Sequence, residues 1–139
     1  MIILDTNVIS ELTHDRPEPR VFQWIDEQPT SQIWTTSLTL AELAFGIANR
    51  PIGRRRALLA DRVGSLVEFL IGPRVASFGP DAAVEWGNLR AARKRQGRSF
   101  SDIDLQIAAI ALVCDAAVVT RDTHGFDHPE LTVIDPWKA

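Results

Sequence analysis

A single cysteine in 139 residues, Cys114, excludes any intramolecular disulfide and any zinc site built on several thiolates. It closes an apolar helical run and is expected to be a small core residue rather than a nucleophile. The three histidines, His14, His124 and His128, share no metal-ligand spacing and read as surface loop residues. No apolar run approaches the roughly 20 residues that a membrane helix needs. The first residues lack the basic stretch that precedes the apolar core of a secretion signal, so a cytoplasmic protein with no membrane association is expected. Positive charge is not in excess either. The net charge is −3, which leaves no global field to draw in nucleic acid. Repeats, low-complexity tracts and linkers are also missing, and the length suits one domain, residues 1–139, with a single sizeable core.

What remains is ordinary globular composition, 45% hydrophobic and 24% charged, arranged as alternating strands and helices. Ile2-Ile3-Leu4 is a short, wholly apolar run that suits a central strand buried on both faces. The pattern then predicts helices near 8–12 and 18–27, a strand over 32–36, and a helix over 38–47 capped by Ser37 or Thr39. A long amphipathic helix follows over 54–70, then a strand over 74–77 and a helix from 80 to about 96. A helix over 102–114, a strand over 117–120 and a final strand over 131–135 complete the chain. Strands alternating with helices imply an α/β fold, a three-layer α/β/α sandwich around a central, mostly parallel sheet.

Asp5 stands where the first strand hands over to a helix, at the carboxyl edge where open α/β sheets bind ligands. Its ordinary role there would be a helix cap. Three further acids are expected at the same edge. Glu42 lies beside the apolar stripe of the helix after the second strand. Asp104 shares a helix face with Ile107, Ala108 and Ala111, half-buried at a helix start, where its charge calls for a positive neighbour. Asp102 is the better candidate for the plain cap of that helix. Asp122 follows Val118-Val119-Thr120 much as Asp5 follows the first strand. Clustered carboxylates repel unless a cation neutralises them, and hard oxygen donors select Mg²⁺ or Mn²⁺ over zinc. Such a site suits phosphoryl chemistry.

Two basic clusters, Arg54-Arg55-Arg56 and Arg90 to Arg98, are most simply solvated helix faces. If the substrate is a nucleic acid, Arg54, Arg55, Arg56, Arg93 and Arg98 are candidates for contacts to its backbone. A phosphatase with Asp5 as covalent nucleophile, in the manner of haloacid-dehalogenase-like enzymes, needs a second Asp two residues on. Position 7 is Asn, and the only lysines are Lys94 and Lys138.

Four segments together resemble the PIN-domain ribonucleases of the VapC type, most closely their FitB-like branch. They are Ile3-Leu-Asp-Thr-Asn-Val-Ile-Ser10, Thr39-Leu-Ala-Glu-Leu-Ala-Phe-Gly-Ile47, Asp104-Leu-Gln-Ile-Ala-Ala-Ile-Ala111 and Val119-Thr-Arg-Asp-Thr-His-Gly-Phe126. The resemblance implies a PIN-domain fold and a metal-dependent endoribonuclease acting as the toxin of a toxin–antitoxin pair. It assigns Asp5, Glu42, Asp104 and Asp122 to the metal and to catalysis, with Thr6, Asn7 and Thr120 in support. Many such domains carry Asn at the position of Asp122 and an Asp three residues later, where this chain has Gly125. The implied partners are an RNA substrate, a small antitoxin and a second copy of the chain, with DNA reached only through the antitoxin. A non-enzymatic role, completing a DNA-binding antitoxin complex as a dimer, is compatible with the same resemblance. Phe22, Trp24 and Trp34 are candidates either for an apolar antitoxin groove or for core packing.

Overall fold

The computed structural model describes residues Met1–Ala139. Its chain runs β1 (Ile2–Leu4), α1 (Thr6–Leu12), α2 (Pro19–Asp26), β2 (Ile33–Thr36), α3 (Ser37–Ala48), α4 (Arg54–Leu66), β3 (Val75–Ala76), α5 (Pro80–Arg95), α6 (Asp102–Val113), β4 (Ala117–Val119) and β5 (Val133–Ile134). The five strands form one sheet in the order β3-β2-β1-β4-β5, and every pairing is parallel. β1 lies at the centre, with Ile3 opposite Trp34 on one side and Val118 on the other. That position explains its unbroken apolar sequence, because both faces are covered.

Alternate residues feed two cores. Ile3 and Val118 face α5 and α6, where Leu105, Ile107, Ala108 and Phe126 are buried. Leu4 and Val119 face the opposite layer, packing with Val8, Val21, Leu43 and Val63 from α1 to α4. α6 is buried along most of its length, with Ile107, Ala109 and Ala111 fully enclosed, so its alanine content allows a close approach to the sheet and α5. No helix is long and apolar enough to cross a membrane.

Several local expectations shift. The expected helix over 54–70 is α4 followed by a π turn at Val67–Ile71, ended by Gly72 at φ +56° and ψ −127°, a backbone conformation open to glycine because it has no Cβ. α3 is capped by Thr36, whose hydroxyl accepts from the Thr39 amide at 3.1 Å, rather than by Ser37 or Thr39. α6 is capped by Ser101 rather than Asp102, which instead pairs with Arg90 at 3.4 Å. The last strand pairs only at 133–134, and residues Thr123–Phe126 form a 3-10 turn that no periodicity announced. Cys114 is exposed, not a core residue. It sits at the end of α6, where the chain turns through Asp115 at φ +51° and leaves the packed face.

The topology fixes where a ligand belongs. From β1 the chain crosses to β2 and β3 on one side, then returns to place β4 on the other. Such a reversal opens a crevice beyond the carboxyl ends of the two strands that flank it. Asp5 follows β1 and Thr120 follows β4 at that point.

Candidate metal centre

Asp5 is built in first. It caps α1, accepting the Thr6 amide on Oδ1 at 2.8 Å, and only 5% of it is exposed. The fully buried Thr120 hydroxyl donates to Asp5 Oδ2 at 2.8 Å. That hydroxyl also accepts from Asn7 Nδ2 at 3.0 Å and from the Asp122 amide at 3.1 Å. Asn7 Oδ1 in turn accepts the Arg121 amide at 3.2 Å. Residues from the two flanking strand ends are thus locked together by side chains as well as by the sheet, where the Asp5 amide donates to the Val119 carbonyl at 3.0 Å. Burial raises the Asp5 carboxyl above its ordinary value; the bonds from Thr120 and Thr6 oppose this, and the charges of Glu42 and Asp122 add to it.

Glu42, on the second turn of α3, accepts the Thr6 hydroxyl at 2.7 Å. Asp122 caps the 3-10 turn, taking the Gly125 amide on Oδ1 at 3.2 Å. Asp104 stands apart. Its side chain joins none of the chain's ion pairs, so the positive neighbour expected for it is not supplied by any lysine or arginine. Burial, then the charges of Asp5, Asp122 and Glu42, push its carboxyl up to about 6. Gly125 lies directly against this pair of acids: a Cβ there would sit 2.7 Å from Asp104 Oδ2 and 3.1 Å from Asp122 Oδ2.

The four acids open on one cavity of about 450 Å³, together with Thr6 and Asn7. As placed, no three carboxylate, histidine or cysteine side chains gather into a closed metal set. Zinc would want such a set, whereas Mg²⁺ is commonly bound by one or two carboxylates and keeps several waters. The donor set, all oxygen and rich in negative charge, fits a hard divalent cation. The Thr6 hydroxyl bonds Glu42, the Thr120 hydroxyl bonds Asp5, and Asn7 bonds Thr120.

The raised Asp104 value has a measurable consequence. Between pH about 4 and about 6 the folded chain retains a proton that the unfolded chain has released, so this group's contribution to stability falls as pH rises through that window and is flat above it. With solvent screening the loss is on the order of 1–2 kcal/mol. In urea denaturation without divalent cations, Asp104→Asn should therefore match the parent near pH 4 and exceed it by that amount at pH 7. A difference that stays constant across the window would show an ordinary carboxyl.

The basic clusters are rearranged relative to expectation. Arg93 is buried, 7% exposed, and donates to the Asp127 carbonyl at 2.6 Å, so it braces the loop after the 3-10 turn instead of facing solvent. Its helix packs that face on α6, which turns the side chain inward. Arg98 reaches the Asp127 carboxylate at 3.1 Å. Neither lines the acid cavity. Arg54 is exposed at the start of α4, and Arg56 donates to the Arg50 carbonyl at 3.5 Å. Arg55 lines a neighbouring depression with His14, Arg50 and Arg62, and His14 also borders the acids. His14 is a surface residue paired with Glu11. Trp24 and Trp34 pack partly buried against the two cores, while Phe22 is 57% exposed beside an apolar depression with Leu12, Leu66 and Leu70. Sequence reasoning passed over Arg121 and Trp137, which complete the cavity wall. Arg121 adjoins the Asp122 motif, which was a usable hint; Trp137 carried none.

A family model described as PIN domain matches residues 2–130. The VapC ribonuclease Y4jK of Sinorhizobium fredii is 39% identical over 138 residues, 99% of each chain. Toxin FitB of Neisseria gonorrhoeae is 33% identical over 137 residues, again 99% of each. The structure of FitAB bound to an IR36 DNA fragment contains a chain that superposes with a TM-score of 0.89 at 32% identity, covering 99% of this chain and 96% of that one.

Proposed function

The chain belongs to the PIN-domain family, beside VapC- and FitB-type members, and from that premise we propose that it is a Mg²⁺- or Mn²⁺-dependent endoribonuclease, the toxin of a toxin–antitoxin pair. The observation that carries the metal dependence is Asp104, a half-buried carboxylate among three other acids with no cation of the protein to pair with it. Asp5, Glu42, Asp104 and Asp122 would hold the ion, which when bound supplies an activated water and neutralises charge on a phosphodiester. The chain's own task is preorganisation. Thr120 and the Thr6 amide hold the Asp5 carboxylate, and the Thr6 hydroxyl holds Glu42. A carboxylate–metal site alone does not choose between RNA and DNA, since both present the same phosphodiester. The choice of RNA rests on the relatives, of which Y4jK is a ribonuclease by name.

The partners follow the same relatives. The proposal includes a small antitoxin that inhibits the chain, DNA contacted through that antitoxin, a homodimer and a cytoplasmic setting. Of the three aromatic candidates, Phe22 is the exposed one, beside an apolar depression, and it is the one assigned to the antitoxin once Trp24 and Trp34 are given to packing.

The test is cleavage of labelled single-stranded RNA and matched DNA by the purified chain, with Mg²⁺, with Mn²⁺ and with a chelator. RNA should be cut, DNA spared, and the chelator should stop the reaction. Cutting that ignores the chelator would sink the metal reading. A folded chain that cuts neither nucleic acid but confers tight operator binding on its antitoxin would favour the non-enzymatic role.

A further inference from the structure

The acid cavity poses an electrostatic problem for any anionic substrate. Five carboxylates line it, those of Asp5, Glu11, Glu42, Asp104 and Asp122, against one permanently charged cation, Arg121. In so acidic a setting an arginine would ordinarily be consumed by an ion pair, yet Arg121 takes part in none. Its guanidinium instead lies over the ring of Trp137, 5.1 Å from the centroid. A π face attracts the cation without occupying its N–H donors. Trp137 is itself held: its backbone amide donates to Asp135 Oδ1 at 2.9 Å, its backbone carbonyl accepts from Arg20 at 3.4 Å, and its ring packs, partly buried, against the core beneath β5. Arg121's backbone is pinned by Asn7, the same residue that braces the Asp5 network.

We infer that Arg121 is the phosphate-gripping residue of the acid site and that Trp137 is its positioning residue, holding the guanidinium over the cavity with its donors free for the oxygens of an RNA backbone. The planar fork suits bidentate contact with a phosphate. The cation offsets charge where the acids would otherwise repel the substrate. The inference rests on the nuclease reading above and adds to it a residue that binds the substrate rather than the metal.

The experiment pairs steady-state cleavage of a labelled single-stranded RNA with binding of the same RNA, by fluorescence anisotropy across a salt series, in an Asp5→Asn background. Arg121→Ala should raise KM and Kd roughly tenfold while leaving kcat within about threefold, equally for RNAs of different sequence. The slope of log affinity on log salt should fall by about 0.7, the value of one phosphate contact on a single strand. Trp137→Ala should reproduce part of this loss, Trp137→Phe should recover it by keeping a π face, and Trp137→Ala should add nothing once Arg121 is alanine. Arg121 is exposed, so its variant is expected to fold, and thermal melting checks each protein. Wild-type affinity and salt slope in Arg121→Ala would overturn the inference while leaving the nuclease standing. Fully additive losses would overturn the role given to Trp137. A wild type that neither binds nor cuts RNA would overturn both this inference and the reading beneath it.

Discussion

Asp5→Asn is expected to abolish RNA cleavage, lowering the rate by roughly a hundredfold to a thousandfold or more, in a protein that folds as well as its parent. The activity loss follows from charge. The substitution keeps shape and size but removes the carboxylate most tightly fixed at the strand switch, buried and held by Thr6 and Thr120. The stability expectation comes from two opposed effects. Removing a buried charge relieves the cost that raises the Asp5 carboxyl, and Asn caps a helix about as well as Asp. Against this, the Thr120 hydroxyl already accepts from Asn7 and from the Asp122 amide, so it has little room for a third donor, and its own proton loses an ionised acceptor. The net change should fall within about 1 kcal/mol. Cleavage kinetics beside urea denaturation measure both. Cleavage within tenfold of the parent would remove Asp5 from the machinery, and a collapse in stability would recast it as a structural cap.

Gly125→Ala is expected to separate stability from function in a different way. The backbone at Gly125 does not lie at positive φ, so alanine is not strained there. The new methyl would nevertheless fall 2.7 Å from Asp104 Oδ2 and 3.1 Å from Asp122 Oδ2. Both are the ends of short side chains beside open space, so they can yield at little cost to the fold, on the order of 1 kcal/mol or less. Yielding moves two of the four acids. Cleavage should fall at least tenfold and the Mn²⁺ concentration for half-maximal activity should rise, because misplacement of about an ångström is costly at a preorganised site. Unchanged metal dependence would mean that Asp104 and Asp122 tolerate displacement and contribute only general negative charge. The same contact gives Gly125 a physical reason: with no side chain there, Asp104 and Asp122 both reach the cavity.

The order and type of nearly every element were legible in the sequence, because each rested on local signals. Ile2-Ile3-Leu4 is apolar on both faces because β1 is central, and the apolar face beside Asp104 is the face that packs. The acids were legible for the same reason, since a strand end followed by a helix start places its residues at one edge whatever the distant contacts are. Helix caps shifted by a residue, since Thr36 and Ser101 compete with neighbours of nearly equal propensity. What the tertiary structure alone decided is everything that depends on which side chains meet across the chain. Asn7 and Thr120 are 113 residues apart and bond directly. Arg93 and its neighbours in sequence are equally basic, but helix packing turned Arg93 inward to a carbonyl. Arg121 and Trp137 come from separate segments, and no periodicity links them. Charge and propensity are properties of single residues and short windows, whereas the absence of a partner for Asp104 and the freedom of Arg121's donors are properties of a packed surrounding, which exists only once the sheet has brought its carboxyl ends together.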